Sequence, residues 1–181
     1  MDFTGRYQIP APPEAVWAGL NDPNILAAAI PGCEALTRTG DSDFSGTVAL
    51  KIGPMEASFK GQVTLSEMEP PHRLLLTGSG DGRDAGFASG GAEIVLTPKD
   101  GGTEITYKAG ANIGGKMAQI GERLIDGAAR QIADQFFADF AAQLTPKPAA
   151  PAAAPGRHSE LWALGLVGVV AILIVFFLIV I

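Results

Sequence analysis

GGKMAQIGERLIDGAARQIADQFFADFAAQL, residues 114–144, is the stretch whose reading decides the fold. Its leading glycines and the closing Pro146 bound a helical pattern over Lys116–Leu144, since proline lacks a backbone donor and clashes with the preceding turn. Ile120, Leu124, Ala128, Ile132, Phe136 and Phe140 recur every four residues and predict one oblique apolar ridge. Such a ridge suits a helix lying diagonally across a twisted sheet. Lys116, Arg123, Asp126, Arg130 and Asp134 fall on the other side, with Asp126–Arg130 and Arg130–Asp134 at i,i+4 spacing, and read as a solvated face. Gly121 and Gly127 interrupt the pattern, each at a cost of about 1 kcal/mol against alanine. Two causes are open: close approach of a strand, or space for a ligand beside Met117, Ile120 and Leu124.

Upstream, the pattern is that of strands. Phe3–Ile9 alternates in polarity until Pro10, and Ala11-Pro12-Pro13-Glu14 opens a short helix carrying Val16, Trp17 and Leu20. A second short helix, Asn24–Ala29, follows Pro23 and stops at Pro31-Gly32. From Cys33 to Ile113 the turn signals Gly40-Asp41, Gly53-Pro54, Pro70-Pro71 and Asp100-Gly101-Gly102 divide the chain into roughly six antiparallel strands. Strand, two small helices, six strands and one long helix predict an α+β helix-grip domain, a curved antiparallel sheet around the C-terminal helix. The gap between sheet and helix suits an elongated apolar ligand. Trp17, Leu26, Ile30, Phe59, Leu76, Phe87, Tyr107, Met117, Ile120 and Leu124 are the expected lining. The glycines at 78, 80, 82, 86, 90 and 91 predict a bent, thinly packed part of the sheet.

Downstream, residues 145–160 form a Pro/Ala-rich linker, read as a spacer of extended segments. Leu161–Ile181 then contains no charge, and only Gly165 and Gly168 fall outside the apolar set. Twenty-one helical residues reach roughly 31 Å, against a hydrocarbon core of about 30 Å, so this stretch reads as one transmembrane helix. The N-terminus MDFTGRYQIP lacks the apolar region of a signal peptide. With Lys147, Arg157 and His158 before the helix and Trp162 at its boundary, the expectation is a C-terminal anchor in the cytoplasmic membrane with the domain facing the cytoplasm.

The balance of charge removes whole classes of function. The chain is 47% hydrophobic yet carries a net charge of −6. Residues 1–145 hold 18 Asp and Glu against 11 Lys and Arg, which repels a nucleic-acid backbone and argues against the domain lying flat on anionic lipid. A single cysteine, Cys33, rules out an internal disulfide and a Cys-based metal site, and His72 and His158 are too few for a His-rich one. No metal is expected. Gly80-x-Gly82-x-x-Ala85 meets the loosest dinucleotide fingerprint but precedes strand-like sequence, so it reads as a hairpin connection. Cys33 reads as a small core residue, and Glu34 and Glu93 as exposed strand positions rather than pocket carboxylates. With no convincing acid–base pair, an enzyme is the least favoured reading.

Four separated segments carry a resemblance: YQIPAPPEAVWAGLNDPNILAAAIPGCE, KIGPMEASFKGQVTL, GFASGGAEIVL and GGKMAQIGERLIDGAARQIADQFFADF. In order, over about residues 1–143, they resemble the carbon monoxide dehydrogenase CoxG family of the START-like (SRPBCC) helix-grip superfamily. The Pro/Ala linker and apolar tail resemble its membrane-anchored members. That resemblance implies a hydrophobic ligand, a respiratory quinone or lipid, in the sheet–helix cavity. It also implies recruitment of a molybdenum-containing dehydrogenase of the carbon monoxide dehydrogenase type to the membrane, for electron transfer to the quinone pool. It adds weight to Ile30 and Phe87. Two readings of Tyr107 stay open: a hydroxyl offered to a quinone carbonyl, or a structural strand tyrosine. The alternative is a recruitment or assembly factor that binds no small molecule.

Overall fold

A computed structural model describes residues 1–145 of the chain. Seven antiparallel strands form one sheet: β1 (Asp2–Ile9), β2 (Cys33–Arg38), β3 (Asp43–Ile52), β4 (Met55–Glu69), β5 (Arg73–Asp81), β6 (Phe87–Lys99) and β7 (Gly102–Gly114). Their order is β1-β7-β6-β5-β4-β3-β2, so six strands follow one another as hairpins and β1 closes onto β7. Helices α1 (Pro13–Gly19) and α2 (Pro23–Ala29) fill the connection from β1 to β2, and α3 (Glu122–Leu144) ends the described chain. This is the expected α+β helix grip. The anchor predicted at Leu161–Ile181 and nearly all of the spacer before it lie outside the described residues. Among the described residues no helix is long and apolar enough to cross a membrane.

Local chemistry explains the boundaries. Pro13 and Pro23 occupy the first helical turns, where a missing N–H costs nothing. Asp22 caps α2 by accepting the Asn24 N–H at 2.8 Å. Buried Thr103 on β7 donates to the Ala11 carbonyl at 2.7 Å and fastens the β1–α1 connection to the sheet. The supposed dinucleotide fingerprint is a hairpin connection, with a 3-10 turn at Arg83–Ala85 between β5 and β6.

The long helix departs from expectation in two ways. It begins at Glu122 rather than Lys116, because Met117–Ile120 forms a separate 3-10 turn and Gly121 has φ +96°. Gly121 is therefore the residue before the helix, in a backbone conformation that L side chains avoid. Open space surrounds its missing Cβ, so close strand approach does not account for it. The buried stripe is also displaced. It consists of Ile125, Ala129, Ala133, Phe136, Phe137 and Phe140, whereas Leu124 is 52% exposed. A strict four-residue step drifts about 40° around a helix each time, so the ridge from Ile120 to Phe140 cannot stay on one face. The observed stripe mixes steps of four and three, and keeps to the sheet. On the solvent side the Asp126–Arg130 pair forms at 3.0 Å, but Asp134 serves Tyr7 instead of Arg130.

Candidate functional site

Strand parity decides which side chains face α3. On β5 and β6 the even residues point inward, on β7 the odd ones, and the register aligns them in rows across the sheet. One inward row runs Leu36, Gly46, Gly61, Gly80, Ala88 and Ile113. The next runs Phe44, Val63, Gly78, Gly90 and Ala111, and a third runs Leu65, Leu76, Ala92, Ala109 and Phe3. Beyond these the side chains become large: Leu74 and Ile94, then Leu96 and Ile105. Helix α3 grades the same way, from Ala129 and Ala133 to Phe136, Phe137 and Phe140. One half of the sheet–helix interface is thus packed with aromatic and aliphatic bulk. In the other half β5, β6 and β7 present mainly glycine and alanine and α3 presents Ala129 and Ala133, with Phe44, Val48, Phe59, Val63, Met117 and Ile125 buried around them.

The small-residue half lies toward the end where β7 passes into α3. Strand direction places the β3–β4 turn, the β5–β6 connection and the start of β2 at this same end. A cleft of about 650 Å³ lies at this end and reaches round onto the convex face: outward Thr47, Ser58, Lys60 and Asp81 line it with Glu34, and Met55, Ala57, Gly82, Arg83, Ala85 and Lys116 complete its wall. A second cleft, about 430 Å³, lies on the convex face among Thr4, Arg6, Glu93, Thr106 and Lys108, away from the helix.

The expected lining residues divide accordingly. Leu26, Ile30, Phe59, Leu76 and Met117 are buried in the core, and Trp17 and Ile120 are half-buried against it. Phe87 and Leu124 do not line the gap. Phe87 is 56% exposed, because odd positions on β6 point outward and its ring lies over Gly114 of β7. Leu124 sits on the solvent side of α3, near Gly53 in the β3–β4 turn. Sequence reasoning missed Ala88, Ala92, Ala109 and Ala111, all buried and inward. The signal was present in the even parity of Gly78, Gly80, Ala88, Gly90 and Ala92.

Tyr107 is buried and, at an odd position of β7, lies on the helix side of the sheet toward the β1 edge. Its ring lies across Gly5 on β1, and its neighbours are Tyr7, Phe137 and the charged side of α3. Tyr7 stacks on Phe137 with ring centroids 4.0 Å apart and donates its hydroxyl to Asp134 at 2.8 Å. Burial foremost, then the bond to Asp134, holds the Tyr7 proton well above the usual phenol range. Burial likewise raises Tyr107, with Tyr7 and Arg130 partly opposing it. This pair locks the β1 edge to α3, with Tyr107 in the inward row next to Ala92 and Ala109.

Of the remaining candidates, Glu34 accepts from Ser58 at 3.2 Å at the rim of the larger cleft, and Glu93 pairs with Arg73 at 2.7 Å on the convex face. Cys33 is half-buried, and burial pushes its thiol pKa up, which lowers its reactivity at neutral pH. Among the described residues no three His, Cys, Asp or Glu side chains gather to hold a metal ion. Thr103 is the one buried polar residue among them, and Ala11 satisfies it.

Comparison with known proteins agrees with this geometry. The family model of the carbon monoxide dehydrogenase protein CoxG matches residues 5–145. A conserved protein from Geobacillus kaustophilus has a similar structure at 29% identity, with a TM-score of 0.75 over 80% of this chain and 95% of that one. TTHA0849 from Thermus thermophilus is similar at 13% identity and TM-score 0.61, covering 80% of this chain and 97% of its own. Ara h 8.0201, at 14% identity and TM-score 0.57, covers 80% of this chain and 97% of its own. The latter two share the fold alone. No curated protein matches the chain.

Proposed function

The chain belongs to the carbon monoxide dehydrogenase CoxG family, and from that premise we propose that it is a ligand-binding accessory protein rather than an enzyme. Its ligand is an elongated apolar molecule, a respiratory quinone or a lipid. Its partner is a molybdenum-containing dehydrogenase of the carbon monoxide dehydrogenase type. The observation that carries this reading is the patch of glycine and alanine on the inward faces of β5, β6 and β7, with Ala129 and Ala133 on the sheet-facing stripe of α3. Apolar sites bind through shape and desolvation, with few polar anchors, and this patch presents almost none. In this reading Leu161–Ile181 anchors the protein in the cytoplasmic membrane, where both a quinone pool and lipid are at hand, and the domain meets its enzyme in the cytoplasm.

The test is extraction. Full-length protein is purified from membranes in mild detergent and its bound small molecules are identified by mass spectrometry. Near-stoichiometric isoprenoid quinone or lipid supports the proposal; protein that is folded and empty removes the ligand from it. Capture of the dehydrogenase by the same preparation checks the partner separately. The alternative of a ligand-free recruitment factor draws on one observation, that inward Ala88 is only 1% exposed, as in a closed core.

A further inference from the structure

Phe87 and Leu124, 56% and 52% exposed, stand at the end of the domain where the larger cleft opens. Among the described residues the third large exposed apolar residue, Met68, stands at the opposite end, near the end of β4 between Glu67 and Glu69. The two ends differ in charge as well. Around the cleft end, Lys51, Lys60, Arg83, Lys116 and Arg123 are balanced by Glu34, Glu56, Asp81, Asp84 and Glu122, and the Met1 ammonium by Asp2. The remainder of residues 1–145 holds twelve Asp and Glu against six Lys and Arg. The acidity of the domain therefore lies away from the cleft.

Pairing sharpens the contrast. All five cations at the cleft end are exposed, and among the described residues none of them forms an ion pair. Elsewhere Arg6, Arg73, Lys99 and Arg130 are each held by a carboxylate. The opposite end, with Asp41, Asp43, Glu67, Glu69 and Asp100 at its turns, would be repelled by anionic headgroups. The cleft end is instead neutral, so anionic headgroups do not repel it, and its exposed cations and two outward apolar side chains are free to meet phosphate and the acyl boundary.

We propose that the cleft end is the face this domain sets onto a bilayer bearing anionic headgroups, with Phe87 and Leu124 entering the acyl boundary. This rests on the membrane-anchored reading above and deepens it. The reach of the chain permits it. Helix α3 carries the chain away from the cleft end over 23 residues, roughly 35 Å. The 15 residues from Pro146 to Glu160 span up to about 47 Å when extended, enough to return to the same bilayer. The overall negative charge still opposes flat contact. It orients the domain so that one end touches.

The experiment uses the full chain with Cys33→Ser and single nitroxide-labelled cysteines at position 87, 124 or 68, in vesicles of phosphatidylethanolamine and phosphatidylglycerol. Collision rates with oxygen and with a water-soluble nickel chelate report depth. Labels at 87 and 124 are expected to favour oxygen and to lose nickel collisions severalfold relative to 68. Combined Lys116→Glu and Arg123→Glu, or phosphatidylcholine vesicles, are expected to return them to water. Equal nickel access at all three positions overturns the proposal. So does insertion of position 68, or protection that appears only when the dehydrogenase is added. Mass spectrometry of the same vesicles keeps the two readings apart. Ligand with aqueous labels leaves the ligand reading standing without the docking face, and inserted labels without ligand do the reverse.

Discussion

At the scale of single residues, Tyr7 and Tyr107 make stability depend on alkaline pH. Phenols in an unfolded chain ionise near pH 10, whereas both tyrosines here hold their protons above that value. Above about pH 10 the unfolded state therefore binds fewer protons than the folded one, and stability falls as pH rises. Below that pH the contribution is fully present. In melting curves between pH 8 and 11, Tyr7→Phe is expected to show a shallower alkaline decline than the parent; parallel curves would mean that Tyr7 does not carry the effect. Two glycines near the start of the C-terminal helix make a contrasting pair. Gly127 is exposed, helical and has nothing near its missing Cβ, so Gly127→Ala should raise stability by up to about 1 kcal/mol. Gly121, at φ +96°, should lose about 1–2 kcal/mol on the same change. Thermal melts of both variants check the signs, and matching shifts would contradict the assignment. From sequence the two positions looked alike, since both interrupt one apolar pattern. Backbone dihedrals separate them, and composition does not encode those.

Element boundaries were legible where proline and glycine punctuate the chain. Pro10, Pro23, Pro31-Gly32 and the hairpin glycines divide it where the structure does, and six strands from Cys33 onward were readable from them. Which side each element presents was less legible. The four-residue spacing from Ile120 to Phe140 looks like a ridge, but helical geometry leaves Leu124 in solvent and Ile120, Ala128 and Ile132 only half-buried, and brings Ile125, Ala129 and Ala133 to the sheet. On β6 the bulk of Phe87 drew it toward the gap, while parity turned it out and put Ala88 in. The energetic consequence is direct. Phe140→Ala removes a fully buried ring and should cost about 3–5 kcal/mol, whereas Leu124→Ala should change stability by less than about 0.5 kcal/mol. Denaturant titration of the two variants tests this; a large loss at Leu124 would restore the ridge.

At the scale of the whole molecule, the question is whether the glycine- and alanine-rich half is a closed core or a space that a ligand completes. The two cases respond oppositely to added volume. In a closed core, Ala92→Phe or Ala111→Phe must displace neighbours, at a typical cost of about 1–3 kcal/mol. In a ligand space the new ring takes the place of the ligand. The ligand-free variant then loses little stability, and added ligand no longer raises it. For the parent chain, an apolar ligand at about 100 times its dissociation constant adds some 2.7 kcal/mol, roughly 5–10 °C in melting temperature for a domain of this size. The parent is therefore expected to melt higher with an isoprenoid quinone or lipid present. Both variants should melt near the ligand-free parent and show no shift. A parent that does not respond, together with variants that melt well below it, would establish a closed core and leave recruitment of the enzyme as the protein's task.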